Sequence, residues 1–314
     1  MDILCLGIFV ADIVAKPIIN MPDKGKLALV DTMELHTGGC ASNTGYGLNK
    51  LGISTGLMGK VGIDGFGDYF INYMKTAGLD IRGIKRTSTA NTSATMVMVS
   101  PDGERTFFHY LGANAELCYE DIDFDLIKEA RILHIAGSFL MPNFDGEPAS
   151  KVLKQARDWG ITTSLDTAWD SKGKWLSVLE PCLQYLDIFM PSIEEAKMIT
   201  GKEKASEIAN SLLSYGIKTV ALKMGENGSY VRTKDWELYL PIYKVKTVDA
   251  TGAGDAFAAG FLAGVVKGWN HKESARFGNA VGACCVTSIG SVAGIKSMDE
   301  TLEFMKKHSE GVKS

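Results

Sequence analysis

The sequence predicts an α/β protein: a three-layer αβα sandwich on a mostly parallel central sheet, with a small β-sheet standing off it as a lid. Three observations carry this expectation. Short apolar runs at residues 3–8 (ILCLGI), 132–137 (ILHIAG), 162–166 (TTSLD), 187–191 (DIFMP) and 219–223 (TVALK) read as buried strands. Between them, residues 146–160, 192–201 and 204–216 place apolar side chains at helical spacing and finish near a glycine. Residues 12–36 and 91–110 break this rhythm, being rich in strand formers with no helix between them. Within the second, SATMVMVSPDGERTFFHY is two β-type runs joined by Pro-Asp-Gly, a hairpin signal.

Residues 1–11, 37–90 and 111–314 are therefore assigned to the core, and 12–36 and 91–110 to the lid. Longer helices are expected over 251–266 and 272–288, and the tail KKHSEGVKS is expected to fray. A small sheet with one apolar face in solvent would expose a patch that a second copy could cover, so a homodimer is expected.

Composition narrows the function. The chain has 314 residues, 46% of them apolar, enough for one large core, and its net charge of −4 argues against a nucleic-acid binder. It has no apolar run of about 18 residues, so no membrane span is expected. The N-terminus lacks a basic region and is interrupted by Asp2 and Asp12, which reads as a buried strand rather than a signal peptide. The six cysteines form no C-x-x-C pair, and Cys284 and Cys285 are adjacent, so reduced thiols of a cytoplasmic protein are expected.

The chemistry concentrates in VDATGAGDAFAAG, residues 248–260. A helix start presents unpaired amides and partial positive charge, a natural phosphate site. Gly252, Ala253 and Gly254 leave those amides open to approach, and Asp255 falls in the first turn. A carboxylate there repels phosphate but can take a proton from an attacking hydroxyl. The same residues also suit a close-packed helix start capped by an Asp. The dinucleotide fingerprint fails, since Phe257 stands where its third glycine belongs, and no Walker A pattern occurs. A second glycine turn, TGGCASNTGYGLNKLG at 37–52, sets Gly38, Gly39 and Asn43 at another helix start.

Together these stretches resemble the signatures of the ribokinase (PfkB) family of carbohydrate kinases. One is GG-x-x-x-N, here Gly38-Gly39 and Asn43. The other is D-T-x-G-A-G-D-x-F, here Asp249 to Phe257, with Ala250 where Thr is usual. The resemblance covers nearly the whole chain, including GIFVAD, GKVGIDGFGDYF, PSIEEAKMITG and LKMGENGSYV.

The resemblance implies a ribokinase-like fold and ATP-dependent phosphorylation of a sugar, with Mg2+. It makes Asp255 the base, Gly252, Ala253 and Gly254 the anion hole, and Asp12, Gly38, Gly39 and Asn43 the sugar contacts. Glu195 matches the family's magnesium-organising Glu, while Ser192 stands where Asn is usual. Lys223, Gly225 and Gly228 correspond to the nucleotide-side loop, which the Glu-Asn-Gly turn also marks as a hairpin, and Asn279 to the adenine pocket. Carbonyls of Asp249, Thr251, Cys285, Ser288 and Gly290 correspond to a monovalent-cation (K+) site, with Gly294 replacing a position that can carry a hydroxyl ligand.

The acceptor stays open at this stage: a small sugar, or a nucleoside on the same fold, with a catalytically silent sugar-binding protein as a third reading. Phe9, Phe107, Phe108, Tyr110 and Phe139 are candidates to line the pocket. Arg105 is either a surface partner on the hairpin or a ligand for a substrate carboxylate.

Overall fold

A computed structural model describes residues 1–309. In chain order the elements are β1 (Ile3–Gly7), β2 (Val10–Lys16), β3 (Thr32–Gly38), α1 (Cys40–Lys50), β4 (Thr55–Gly62), α2 (Gly65–Thr76), β5 (Asp80–Thr87), β6 (Ala94–Val99) and β7 (Arg105–Tyr110). They continue as α3 (Phe124–Lys128), β8 (Ile132–Ser138), α4 (Glu147–Asp158), β9 (Thr162–Thr167), α5 (Leu176–Leu183), β10 (Ile188–Phe189), α6 (Ile193–Thr200) and α7 (Ala205–Leu213). The last are β11 (Thr219–Lys223), β12 (Ser229–Thr233), β13 (Glu237–Leu240), α8 (Ala253–Val266), α9 (His271–Cys285) and α10 (Met298–Ser309).

Nine strands form one sheet in the order β13-β12-β11-β10-β9-β8-β1-β4-β5. Pairing is parallel from β5 to β11, and β12 and β13 add an antiparallel edge. The chain builds outward from β1 in both directions, so the order reverses beside it. Open α/β sheets bind ligands in the crevice at such a switch point.

Alternation along the central strands makes the three layers. Leu4 and Leu6 of β1 join Leu133 and Ile135 of β8 in the core facing α3 to α7. Ile3 and Cys5, with Ile132 and Ala136, face α1, α2, α8 and α9. Because both faces are covered, these strands read as continuous apolar runs. Several helix starts are written locally: Asp64 caps α2, accepting from Gly67 N at 2.8 Å, and Asn270 with Glu273 forms a capping box at α9.

The second sheet has the order β3-β2-β6-β7. It begins at Val10 and its first hairpin runs to Gly38, two residues beyond each expected bound at 12 and 36. The run at 187–191 is a strand only over Ile188–Phe189, with Pro191, which has no amide to donate, just beyond. The expectation of a frayed tail fails at its start: Lys306, Lys307 and His308 belong to α10, and residues 310–314 lie outside the described residues.

α8 is buried nearly all round and packs on α9 at paired glycines. A Cβ on Gly260 would lie 2.8 Å from Gly278 Cα and 2.8 Å from Val281 Cγ2. Overpacking of this kind costs about 1–3 kcal/mol. Gly260→Val is expected to lower the urea midpoint accordingly, and an unchanged midpoint would show that the helices can separate freely.

Candidate active site

The start of α8 lies against the crevice beside β1. Gly252 caps it with φ 73° and ψ 0°, a left-handed conformation that favours glycine. A Cβ there would also sit 2.1 Å from Ser291 O. The Ala253 amide turns back to Ala250 O at 3.3 Å, whereas among the described residues the Gly254 and Asp255 amides have no backbone partner.

The Asp255 side chain is held from α1. Asn43 Nδ2 donates to Asp255 Oδ2 at 2.8 Å, and Ser291 Oγ donates to Asn43 Oδ1 at 2.9 Å. One turn earlier, Cys40 lines the same cavity as the carboxylate. Burial raises the Asp255 pKa, with Lys223, Asn43 and Cys40 pulling it back.

Asp255 opens into a cavity of about 260 Å3 between the two sheets. Asp12, Gly39, Asn43, Thr251, Gly252 and Gly290 share its walls with His36, Thr95, Arg105 and His109 of the small sheet. Gly38 lies beneath Asp12, and a Cβ on it would meet Asp12 Oδ2 at 2.0 Å.

On the other side of the α8 start lies a second cavity of about 550 Å3. Ala253 and Gly254 line it, with Lys223, Gly225, Gly228, Asn279 and an apolar wall that includes Ile242, Tyr243, Val245 and Val286. The first turn of α8 is thus the partition between two cavities. The Gly225–Asn227 turn joins β11 to antiparallel β12, so the same loop is a hairpin and a cavity wall. Asn279 Nδ2 donates to Pro241 O at 3.1 Å and so also anchors that wall.

Lys223 Nζ reaches Asp166 Oδ1 and Oδ2 at 2.7 and 2.6 Å. A Cβ on Gly254 would be 3.3 Å from the same nitrogen, which places the ammonium at the partition. Burial works against the Lys223 charge, but Asp166, Glu195 and Asp255 outweigh it and raise its pKa. Ser192 and Glu195 line neither cavity and close a capping box on α6. Glu195 Oε2 accepts from Ser192 N and from Thr167 Oγ1, both at 2.9 Å.

Asp249 ties the small sheet to this loop. Its Oδ1 accepts from Thr251 N at 2.8 Å and from Arg105 at 2.5 Å, and its Oδ2 accepts from Gly290 N at 2.9 Å. Arg105 is therefore no hairpin-surface partner; it spans the cavity. Nearby, Cys285 Sγ donates to Ser291 O at 3.2 Å, Ser288 N to Cys285 O at 3.5 Å, and a Cβ on Gly294 would sit 2.4 Å from the Cys284 and Cys285 carbonyl oxygens.

Of the aromatic candidates only Phe107 lines the smaller cavity. Phe9 is fully buried and stacks on Phe70, and Phe139 packs edge-on against Trp175. Phe108 and Tyr110 fall on the opposite face of β7, since side chains alternate along a strand. Asp166, Cys40, His36, Thr95 and His109 went unread in the sequence. A carboxylate at the end of a run read as a buried strand, TTSLD, was the available signal for Asp166.

The pfkB family carbohydrate kinase model matches residues 1–298. The chain belongs to the PfkB family of carbohydrate kinases. A 5-dehydro-2-deoxygluconokinase from Clostridium perfringens is 30% identical over 289 residues, covering 88% of this chain and 85% of that one. A ribokinase from Thermotoga maritima superposes with TM-score 0.85 at 27% identity, covering 98% of this chain and 99% of that one. An E. coli protein assigned as ribokinase II and solved with ATP and Mg2+ gives TM-score 0.86 at 25% identity, covering 98% and 99%. The fold is ribokinase-like, and as a PfkB sugar kinase the protein is a phosphotransferase with an alcohol acceptor.

In this PfkB kinase burial disfavours the Asp249 charge, but the Gly290 and Thr251 amides, the Thr251 hydroxyl and Arg105 outweigh it and hold its pKa below the usual value. Its contribution to stability is therefore present above the usual carboxylate range, about pH 4, and is lost as pH falls through the folded value. Asp249→Asn is expected to unfold at lower urea than wild type at pH 7, the two midpoints converging as the solution is acidified. A gap independent of pH would show that the Asp249 charge contributes nothing.

Proposed function

We propose that the protein transfers the γ-phosphoryl group of ATP to a hydroxyl of a small carbohydrate bound under the small sheet, with Asp255 as general base. The partition at the start of α8 carries this reading. Asp255 faces the smaller cavity while Ala253 and Gly254 face the larger one.

ATP fits the larger cavity, whose apolar wall suits a base and whose glycines and Lys223 suit phosphates. The transferring phosphoryl group meets the free amides of Gly254 and Asp255. Asp255 takes the acceptor proton as the new O–P bond forms and the bond to the β,γ-bridging oxygen breaks, leaving ADP. Asp166, Glu195 and Asp255 give Lys223 an acidic surround, but no three such side chains among the described residues converge to hold a metal ion, so Mg2+ would be held mainly by the phosphates and water. Thr167 and Ser192 would steady Glu195 as the carboxylate that organises Mg2+ and its waters, and Mg2+ when bound neutralises phosphate charge.

The smaller cavity is below the roughly 300–1,000 Å3 of sites for drug-sized ligands. That size and its polar lid row favour a single sugar over a nucleoside.

Asp255→Asn is expected to bind ATP normally and lose turnover by about 10²–10⁴-fold, measured as ADP release over a sugar panel. Wild-type activity should fall on the acid side at a pH above that of an ordinary aspartate, because the raised pKa leaves the base protonated sooner. Near-normal turnover of the variant would refute the assignment.

The outer face of the small sheet exposes Met33, Met96, Phe108 and Tyr110, a patch suited to a second copy. We expect a dimer by light scattering, shifted toward monomer by Phe108→Lys. A wild-type monomer at working concentration would contradict this.

A further inference from the structure

We infer that Asp166, buried behind the partition, is a positioning residue for phosphoryl transfer. It holds the Lys223 ammonium as a third donor to the transferring group, beside the amides of Gly254 and Asp255. This rests on the reading that ATP occupies the larger cavity and that Asp255 is the base.

Strand order makes the pair. Asp166 is the penultimate residue of β9 and Lys223 the last of β11, with the two-residue β10 between them. Two strand spacings are about 10 Å. An aspartate is short, so the lysine must stretch most of that distance to meet it.

Both ends of the bridge are fixed. The Asp166 side chain is 1% exposed. Its Oδ1 accepts from Thr167 N at 2.8 Å, and its two oxygens accept from Lys223 Nζ at 2.7 and 2.6 Å. The Lys223 backbone is pinned beside the start of α6, where its N–H donates to Pro191 O at 3.0 Å and the residue bridges to Ser192. The next residue after Asp166, Thr167, holds Glu195 through its hydroxyl. The last two residues of β9 therefore place one cation and one anion.

Asp166 lines neither cavity, whereas Lys223 lines the larger one. The carboxylate thus reaches a bound phosphate only through the lysine. An ammonium has three protons to donate. The two Asp166 oxygens take two of them, and Nζ has no further hydrogen-bond partner among the described residues. The same nitrogen would lie 3.3 Å from a Cβ on Gly254, in the turn whose Gly254 and Asp255 amides have no backbone partner. One N–H of the lysine and two of the backbone therefore meet at one helix start. A lysine stem is flexible and its head is a compact point charge. Clamping it in advance makes it a preorganised donor, the kind that stabilises charge developing in a transition state.

The test reads ADP release over D-ribose, D-fructose and D-gluconate, with folding checked by urea midpoint. Lys223→Met is expected to lower kcat about 10²–10³-fold with the acceptor KM unchanged, and near-normal turnover overturns the inference. Asp166→Glu keeps the charge but displaces the carboxylate by one methylene. It is expected to lower kcat about 10²-fold, again at unchanged acceptor KM. If Asp166 only neutralised Lys223, this variant would keep wild-type kcat, and that result overturns the inference. Asp166→Asn combined with Lys223→Met removes both charges and leaves no lone buried ion. It should turn over like Lys223→Met alone, because the two residues act as one unit. A further loss of about tenfold or more would show Asp166 acting by another route and overturns the inference. The double variant decides if Asp166→Glu does not fold. If wild type releases no ADP with any sugar, the kinase reading fails and titration calorimetry decides the clamp. Lys223→Met and Asp166→Glu should then both weaken ATP binding and leave adenosine binding unchanged. Unchanged ATP affinity, or a wild type that binds no ATP, overturns the inference.

Discussion

A carboxylate withdrawn from water at the first turn of a helix is the constraint on which the rest of this site depends. Asp255 sits where the α8 dipole and two free amides favour negative charge, yet burial opposes that charge. The structure settles the conflict with fixed donors. Asn43 of α1 reaches the carboxylate and is itself oriented by Ser291 from the loop after α9. Three segments far apart in sequence thus fix one side chain, as the proposed role of Asp255 as base requires.

The glycines around it follow from crowding as well as from ligand access. Gly252 is pressed by Ser291, Gly254 by Lys223, and Gly38 by Asp12. Deeper in, Gly260 and Gly278 let α8 and α9 meet closely enough to hold the partition between the cavities. Charge is arranged just as tightly. Lys223 is clamped by Asp166 beside the partition, and Arg105 crosses the cavity to the loop that precedes it. A single ammonium thus sits in a predominantly acidic surround.

Much of the layering was legible in the sequence because its signals are local. TVALK matched β11 residue for residue, and the helix at 204–216 contains α7. The hairpin at 93–110 was announced by Pro-Asp-Gly. The candidate site was legible where contiguous small residues open a helix, as at 252–255. It was hidden where residues meet in one cavity only through alignment between strands. His36, Thr95 and His109 sit on three different strands, and nothing in the order of residues says that they share a row with Asp12. Ser192 and Glu195 show the complementary case. As sequence they are a motif, and in three dimensions they are first a capping box, with any metal role resting on what the box leaves free.

The acceptor cavity has a consequence for synthesis on the ribosome. One wall comes from residues 8–14 and the opposite wall from residues 249–291. β1, an interior strand of the sheet, is the first to be made, while α8, which presents Asp255, is among the last. Contacts of such sequence separation form slowly, so a nascent chain can hold most of its sheet and still have no pocket. A chain cut short in its final fifth would lose α8 and α9, and with them both the cover of one sheet face and the wall that carries Asp255.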